Sequence, residues 1–282
     1  MPPIFNQSKD PIVAVIVAYY GGADILLECQ SRGIPTVRIQ LSGHEETNQY
    51  LKQYLASNQD TASYVVKQDE NEPVESLAKK LKVLGITHII PADEAGVELG
   101  DKLCDLLGLP FNGMDATSAR RNKRLMHQKI AGEGVDVPRQ GLVASAFEAD
   151  IWMLKNKTSF PVVIKPLDGA GSAGVNKCEN REGVKHAFEE IGSIATQKKT
   201  VVSIGDQVII QEFLQGTEYV VDTVSLDGDH KLTDIWRCHK GAHNGAAFVY
   251  EYFDLLDSEG DIQQILFEYA CSVLDGLEIK QG

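Results

Sequence analysis

Short apolar runs alternate with amphipathic stretches along the first 113 residues. The runs IVAVIVAY, TVRIQL, SYVVK and THIIPA predict buried strands, and the stretches that follow carry apolar residues at helical spacing. Strands that alternate with helices predict a parallel sheet with helices on both faces. Ligands of such sheets collect at the carboxyl ends of strands, where Gly21-Gly22 and Asp93-Glu94 lie. Each pair is either a substrate contact or a local feature, a tight turn for the glycines and a helix N-terminus for the carboxylates.

The pattern changes after residue 113. A basic helix is predicted to begin near Thr117 or Ser118, either of which can cap it, and to end in the segment Gly134-x-x-x-Pro138. A strand near 139–143, a βαβ-like element through Ala146 to Lys157 and the apolar strand FPVVIK follow. A helix over 182–191 and a flexible connection over 192–205 then precede the strand VIIQEF. An alternating run after that strand closes at Asp227-Gly228, which is a strong hairpin signal.

The strand FPVVIK ends in a lysine and opens into a glycine-rich segment. Glycines let backbone N–H groups approach a polyanion, and a neighbouring lysine adds a point charge suited to phosphate oxygens. An exposed surface turn is the alternative interpretation. The segment also matches G-x-G-x-x-G, but the dinucleotide-binding version opens a helix directly after the glycines. Here an extended piece comes first, so a dinucleotide oxidoreductase is the weaker alternative.

Three segments in order resemble the ATP-grasp family. They are SARRNKRLMHQKIAGEGVDVPR, VIKPLDGAGSAGV and VIIQEFLQGTEYVVDTVSLDG. The resemblance implies an α/β fold in which a Rossmann-like N-terminal lobe precedes an ATP-grasp domain of two α+β lobes. The implied division is an N-terminal domain over 1–113, a linker helix with the first ATP-grasp lobe over 114–215, and the start of an incomplete second lobe over 216–282.

The resemblance also implies a nucleotide-binding site. Lysines would contact the phosphates, a mobile glycine loop would cover them, backbone groups of the segment after VII would bind adenine, and a carboxylate would bind the ribose hydroxyls. The implied residues are Lys123, Lys165, Asp168, Gly169, Gly171, Ser172, Gly174, Gln211, Glu212, Phe213, Leu214 and, for the ribose, Glu218. Asn122 is a departure, because aspartate is frequent there in the family.

The segment after the hairpin is expected to form a substrate-facing loop between two strands. Its histidines, His239 and His243, lie beside Cys238 and raise the alternative of a zinc site. Glycines in the same segment argue against one helix face carrying both histidines. The segment resembles amino-acid-ligase members of the superfamily, which makes Lys240 and Asn244 the expected substrate or γ-phosphate contacts.

The activity implied by the resemblance is that of a carboxylate–amine ligase of the L-amino-acid ligase group. ATP would phosphorylate a carboxylate, and an amine would displace phosphate to form an amide. ATP and Mg²⁺ or Mn²⁺ are the implied cofactors, and small-molecule acids and amines the implied partners. The family's metal ligands would follow Gly282, so the chain is expected to be truncated, to bind nucleotide and to lack turnover. A nucleotide-binding module without turnover, a biotin-carboxylase-like enzyme and a purine-biosynthetic ligase are the alternatives.

Composition narrows the class of partner. The formal net charge of −13 argues against nucleic acid or an anionic membrane surface. The longest apolar run, Ile12 to Tyr20, is far shorter than the roughly 20 residues that span a bilayer. No basic segment precedes an apolar one at the N-terminus, and the five cysteines are scattered. These features predict a cytoplasmic protein, for which a homodimer is among the expected assemblies.

Overall fold

The computed structural model describes residues 11–16, 21–41, 62–69, 71–167, 174–197, 207–243 and 246–282. The chain divides into two compact units, residues 1–121 with 278–282, and residues 122–277. The division after Arg121 lies a few residues beyond the boundary predicted after residue 113. The three-part division stays a prediction.

The first unit contains a parallel sheet, as the alternation of strands and helices predicts. Its strands are β1 (Val13–Ile16), β2 (Thr36–Leu41), β3 (Tyr64–Gln68) and β4 (His88–Pro91). They lie in the order β3-β2-β1-β4, and β1 pairs in parallel with both β2 and β4. The order confirms the predicted α/β class for this part of the chain.

Helices cover both faces of this sheet. They are α1 (Gly21–Ser31), α2 (Val74–Val83), a short 3-10 turn (Glu94–Gly96), α3 (Val97–Leu107) and α4 (Thr117–Arg121). Side chains of β1 alternate between two cores, as the strand period of two requires. Ala14 and Ile16 join the core that contains α2 and α3, whereas Val13 and Val15 pack with Leu26 of α1.

The second unit begins with an antiparallel sheet whose strands are not adjacent in sequence. Its strands are β5 (Gln140–Val143), β6 (Val162–Lys165), β7 (Asn176–Cys178) and β8 (Val208–Glu212). Their order is β5-β8-β6-β7. The helices of this unit are α5 (Lys123–Gly132), α6 (Ala146–Lys155), α7 (Arg181–Gln197) and α8 (Asp261–Gly276). One face of the sheet, with Val143, Ile164 and Ile210, builds the core with α6 and α7.

A second antiparallel sheet follows in the same unit. It consists of β9 (Glu218–Leu226), β10 (Asp229–His243) and β11 (Ala246–Leu255), in the order β11-β10-β9. Asp227 and Gly228 both have positive φ, 55° and 88°, which is the geometry of the predicted hairpin turn. The helix α8 contacts β9 and β10.

Three local predictions are wrong. The basic helix is two helices, because Asn122 is extended and caps α5, so neither Thr117 nor Ser118 caps the helix with Lys123. The helix predicted to end at Ile191 continues to Gln197, because a helix tolerates the single Gly192. The expected substrate-facing loop is strand as far as His243, because β11 pairs with it and two bulges absorb the irregular register. Among the described helices, none is long and apolar enough to cross a bilayer.

Candidate functional site

One face of the β5–β8–β6 sheet carries the polar side chains of the candidate site. In the strand register, Gln211 of β8 lies opposite both Gln140 of β5 and Val163 of β6. Residues two apart on a strand share a face, so Lys165 lies on the same face as Val163, Gln211 and Gln140. The opposite face is the apolar core described above. The alternation therefore separates a packing face from a polar face.

Lys165 is held by a neighbouring strand. Its Nζ donates a hydrogen bond to Oε1 of Gln211, a residue only 9% exposed. Burial lowers the pKa of Lys165, and the charge of Lys123 lowers it further. The structure thus brings together the two lysines that the resemblance assigned to the phosphates. Each positive charge makes the other less favourable, and a bound polyanion would stabilise both charged lysines.

The start of α5 positions Lys123 in this cluster. Asn122 is extended, and its Oδ1 accepts hydrogen bonds from the backbone N–H groups of Arg124 at 3.0 Å and Leu125 at 3.1 Å. Asparagine caps helices about as well as aspartate does, so the family departure at this position preserves the cap. Lys123 is the first helical residue, where the positive end of the helix dipole adds to its own charge. Both charges favour an anionic ligand.

His127 lies one turn farther along α5 and was missed by sequence reasoning. Burial lowers its pKa, Lys165 lowers it further, and the neighbouring Gln140 amide partly offsets both effects. No atom pair between His127 and Gln140 has full hydrogen-bond geometry. Across the described residues, His127 Nδ1 and both polar atoms of the Gln140 side chain are buried without a hydrogen-bond partner. The helical spacing of Lys123 and His127 is the one signal that could have indicated His127.

The segment after β8 is fixed by an ion pair. Glu212 Oε1 accepts a hydrogen bond from the backbone N–H of Arg139 at 2.7 Å, and Oε2 accepts from Arg139 Nε at 2.8 Å. These bonds lower the pKa of Glu212. The predicted adenine contact at Glu212 was a backbone contact, and the engaged carboxylate is compatible with it. Beyond it, Lys177 Nζ lies 4.6 Å from the centre of the Phe213 ring, and Leu214 is 62% exposed.

The glycine segment is described only at its end. Gly174 is buried with φ at +71°, and a Cβ there would lie 3.4 Å from Pro166 Cδ and 3.5 Å from Ile191 Cγ1. A residue with a side chain would be strained by the positive φ as well. The predicted site residues Asp168, Gly169, Gly171, Ser172 and Asn244 lie outside the described residues.

Two residues that were assigned to different parts of the ligand are paired with each other. Lys240 Nζ lies 2.7 Å from Glu218 Oε2, and the Tyr250 hydroxyl donates to Glu218 Oε1 at 2.9 Å. Lys240 also lies over the Tyr250 ring, 4.3 Å from its centre. Burial lowers the pKa of Lys240, but hydrogen bonds with Glu218 and Tyr250 outweigh this effect and raise it. A ligand that reached either residue would meet a preformed ion pair.

The candidates of the first unit have local roles. Asp93 caps the short 3-10 turn by accepting a hydrogen bond from Ala95 N at 2.9 Å, and Glu94 pairs with Arg121 at 2.5 Å. Gly21 begins α1, and Gly22 is buried. Within the part of the chain that the structure describes, no group of three or more His, Cys, Asp or Glu side chains could hold a metal ion.

Sequence comparison relates this chain to known proteins. Residues 158–252 match the family model of the ATP-grasp domain. The chain is 31% identical to dapdiamide A synthase of Enterobacter agglomerans over 285 residues, which cover 99% of this chain and 63% of that protein. It is 24% identical to the L-arginine-specific L-amino acid ligase of Bacillus subtilis over 202 residues, covering 72% of this chain and 47% of the relative.

The crystal structure of L-amino acid ligase from Bacillus licheniformis has the same fold. The TM-score is 0.75 at 16% identity, over 98% of this chain and 64% of that one. Residues 158–252 are thus similar to the ATP-grasp domain, and the chain shares the fold of this solved ligase. In sequence, the chain is similar to dapdiamide A synthase along nearly its whole length and to the L-amino acid ligase of Bacillus subtilis over 72% of it, and it spans less than two thirds of the length of these relatives.

Proposed function

We propose that this chain binds ATP and belongs to a carboxylate–amine ligase that joins amino-acid substrates through an acyl-phosphate. The ATP-grasp fold implies the use of ATP. The observation that carries the proposal is the cluster of Lys123 and Lys165. Lys165 is hydrogen-bonded to Gln211, which directly precedes the segment 212–214. The similarity of the chain to dapdiamide A synthase and to L-amino acid ligase supports the choice of amino acids as substrates.

Each site residue then has a role toward the nucleotide. Lys123 and Lys165 neutralise phosphate oxygens, and the loop with Asp168, Gly169, Gly171, Ser172 and Gly174 covers them. Backbone groups of the segment Gln211, Glu212, Phe213 and Leu214 bind adenine, with the exposed Leu214 side chain available to pack against the ring. Glu218 accepts hydrogen bonds from the ribose, and Lys240 and Asn244 contact the acid or the γ-phosphate.

The proposed reaction has two steps, formation of the acyl-phosphate and formation of the amide. A carboxylate oxygen attacks the γ-phosphorus, the bond to the β-phosphate oxygen breaks, and ADP leaves with its electron pair. The amine then attacks the acyl carbon, forms the C–N bond, expels inorganic phosphate and loses a proton. Charge neutralisation and positioning by this chain's lysines lower the barrier of the first step, because negative charge moves between phosphoryl oxygens. Covalent participation of a protein nucleophile is not needed.

Magnesium is implied by the family, where it would neutralise charge between the phosphates. Among the described residues, no three or more His, Cys, Asp or Glu side chains are grouped so that they could hold a metal ion, and no step is assigned to the ion. The ligand set that the resemblance implied thus stays a prediction.

Nucleotide binding can be tested by comparing ATP with adenosine. We expect Lys165→Ala to weaken ATP by about 10- to 150-fold and adenosine far less, because a charge-assisted hydrogen bond is worth roughly 1.5–3 kcal/mol. Isothermal titration of both ligands measures the difference. Lys185→Ala is the matched control, since Lys185 lies on α7 in an exposed pair with Glu182. Equal weakening of ATP and adenosine by Lys165→Ala would contradict the phosphate assignment.

Ligase activity needs its own measurement. The protein is incubated with ATP, Mg²⁺ and a pool of amino acids, and phosphate release and condensed products are followed by colorimetry and mass spectrometry. Phosphate release that requires both an acid and an amine, with a matching amide product, supports the proposal. Phosphate release that needs neither acid nor amine would contradict the ligase assignment, whereas nucleotide binding without either signal is the behaviour expected of a chain that lacks turnover by itself.

A further inference from the structure

The Gln140 amide is a buried polar group that the roles above leave unexplained. Both its oxygen and its nitrogen lie in the interior without a hydrogen-bond partner among the described residues, and so does Nδ1 of the adjacent His127. A buried amide without partners is costly, and such groups usually meet a ligand or an ordered water. The Gln140 side chain lies near enough to the His127 ring to raise its pKa, although the contact falls short of full hydrogen-bond geometry.

The strand register places Gln140 beside the segment proposed for the base. Gln140 lies directly opposite Gln211, the residue before Glu212, and the two side chains share a face. The same face carries Leu142 and Val163, which are partly exposed. Apolar side chains with a few polar groups at the edge are the usual surface for an aromatic ligand.

Chemistry decides which part of the nucleotide the amide fits. The lysines offer donors alone, which suits phosphate oxygens. The Gln140 amide offers one acceptor and one donor in a single plane, and phosphate would leave the acceptor unsatisfied. The adenine edge offers N6–H₂ as donor and N7 as acceptor, and a glutamine amide can pair with both at once.

We propose that Gln140 reads the adenine base, accepting a hydrogen bond from N6 and donating one to N7, and so selects ATP over nucleotides with a carbonyl at that position. The inference rests on the proposed function, because it assumes that the lysine cluster binds ATP. Gln140 is then a specificity residue, separated from the phosphate-binding Lys165 by strand β8.

The test compares ATP with inosine triphosphate, which carries a carbonyl oxygen where adenine has its amino group. We expect the wild type to bind ATP more tightly than the inosine nucleotide. Gln140→Leu should weaken ATP by about tenfold and leave the inosine nucleotide nearly unchanged, since a bidentate pair discriminates by roughly 5- to 150-fold. Gln140→Glu should also weaken ATP, because a carboxylate cannot donate to N7. Gln128→Leu, an exposed position on α5, is the matched control.

The outcomes separate this inference from the one it depends on. If the wild type binds no nucleotide, the proposed function fails. If the wild type binds ATP and both Gln140 variants keep its preference over inosine triphosphate, an ordered water satisfies the amide and the inference is wrong. Should a variant fold poorly in a thermal melt, the side-chain amide resonance of Gln140 in the ¹⁵N-labelled wild type replaces it. Adenosine should shift that resonance and ribose 5-phosphate should not, and the reverse overturns the assignment.

Discussion

The surroundings of His127 lower the pKa of its imidazole in the folded protein. Burial is the main cause and outweighs the opposing interaction with the Gln140 side chain, and Lys165 adds a smaller lowering. The ordinary pKa of histidine is about 6.5. As the pH falls through that value, the unfolded chain binds a proton that the folded chain resists. The free energy of unfolding therefore decreases as the solution becomes more acidic, and the loss continues until the folded pKa is passed.

His127→Gln should reduce this dependence. We expect the unfolding free energy to fall less between pH 7.5 and 5.5 in the variant than in the wild type, because glutamine does not titrate. Urea unfolding at the two pH values measures the change. His186→Gln is the control, because His186 is exposed beside Glu189 on α7. If both variants keep the dependence of the wild type, His127 is not the group responsible.

A buried ion pair in the first unit makes a second residue-scale prediction. Asp101 Oδ2 accepts hydrogen bonds from Thr117 Oγ1 at 2.6 Å and from Arg120 Nη1 at 2.9 Å. Both charged side chains are nearly inaccessible, at 9% and 6% exposure. Asp101→Ala should lower the free energy of unfolding by about 3–5 kcal/mol, because it leaves the guanidinium buried without its carboxylate.

The exposed pair of Arg32 and Glu28 on α1 is the matched control. Its side chains are 68% and 60% exposed, so Glu28→Ala should cost no more than about 1 kcal/mol. Urea unfolding followed by far-UV circular dichroism compares the two variants. Similar losses of unfolding free energy in the two variants would mean that burial does not increase the contribution of the Asp101 pair to stability.

At the scale of elements, the contact of α6 with β5 depends on a glycine. A Cβ at Gly141 would overlap Nε1 and Cδ1 of the Trp152 indole, which lies on the core face of the strand. Gly141→Ala should therefore displace α6 and lower the free energy of unfolding by about 1–3 kcal/mol. In a Trp236→Phe background, the emission of Trp152 should shift to the red as water reaches it.

Gly132→Ala supplies the comparison for this prediction. No atom lies within 4 Å of a Cβ added at Gly132, which is the last residue of α5. Alanine is the better helix former, so this change should be neutral or slightly stabilising. A loss of stability in Gly132→Ala as large as that in Gly141→Ala would show that overlap with Trp152 is not the cause.

Elements that are marked by a local sequence signal were predicted well. The apolar runs gave β1, β2 and β6 their positions, and Asp227-Gly228 marked the β9–β10 turn. The unpredicted features depend on residues far apart in the chain. Arg139 and Glu212 are 73 positions apart, and Gln140 lies opposite Gln211 only through the pairing of β5 with β8. The length of β10 likewise depends on its pairing with β11. The glycines in the β10 sequence do not indicate a strand, so the local pattern does not predict this length.

The whole molecule contains thiols that report on each compact unit separately. Cys104 lies in the first unit and Cys178 in the second, and both are buried. Burial, with a smaller effect of Asp101, raises the pKa of Cys104 to about 12. Burial raises the pKa of Cys178 to about 11, against a backbone hydrogen bond. Thiolate is the reactive form, so both should resist a maleimide in the native protein.

ATP should then distinguish the two thiols. With increasing urea, labelling of each cysteine reports unfolding of its own unit, and mass spectrometry of the peptides measures it. ATP at 100 times its dissociation constant should stabilise the second unit by about 2.7 kcal/mol and delay labelling of Cys178. Labelling of Cys104 should be unchanged. Equal protection of both thiols would contradict binding within the second unit alone.

The order of strands in the β5–β8–β6–β7 sheet has a consequence for the protein as it leaves the ribosome. Gln211 follows Lys165 by 46 positions, yet β8 lies between β5 and β6 in the sheet. At about 5–20 residues per second, the ribosome needs roughly 2–9 seconds to synthesise that interval. During this time β5 and β6 wait with unpaired edges, although the hairpin of β6 and β7 can already close. The polar face with Lys165 is thus assembled late, and we expect nascent chains that end before residue 208 to depend on chaperones.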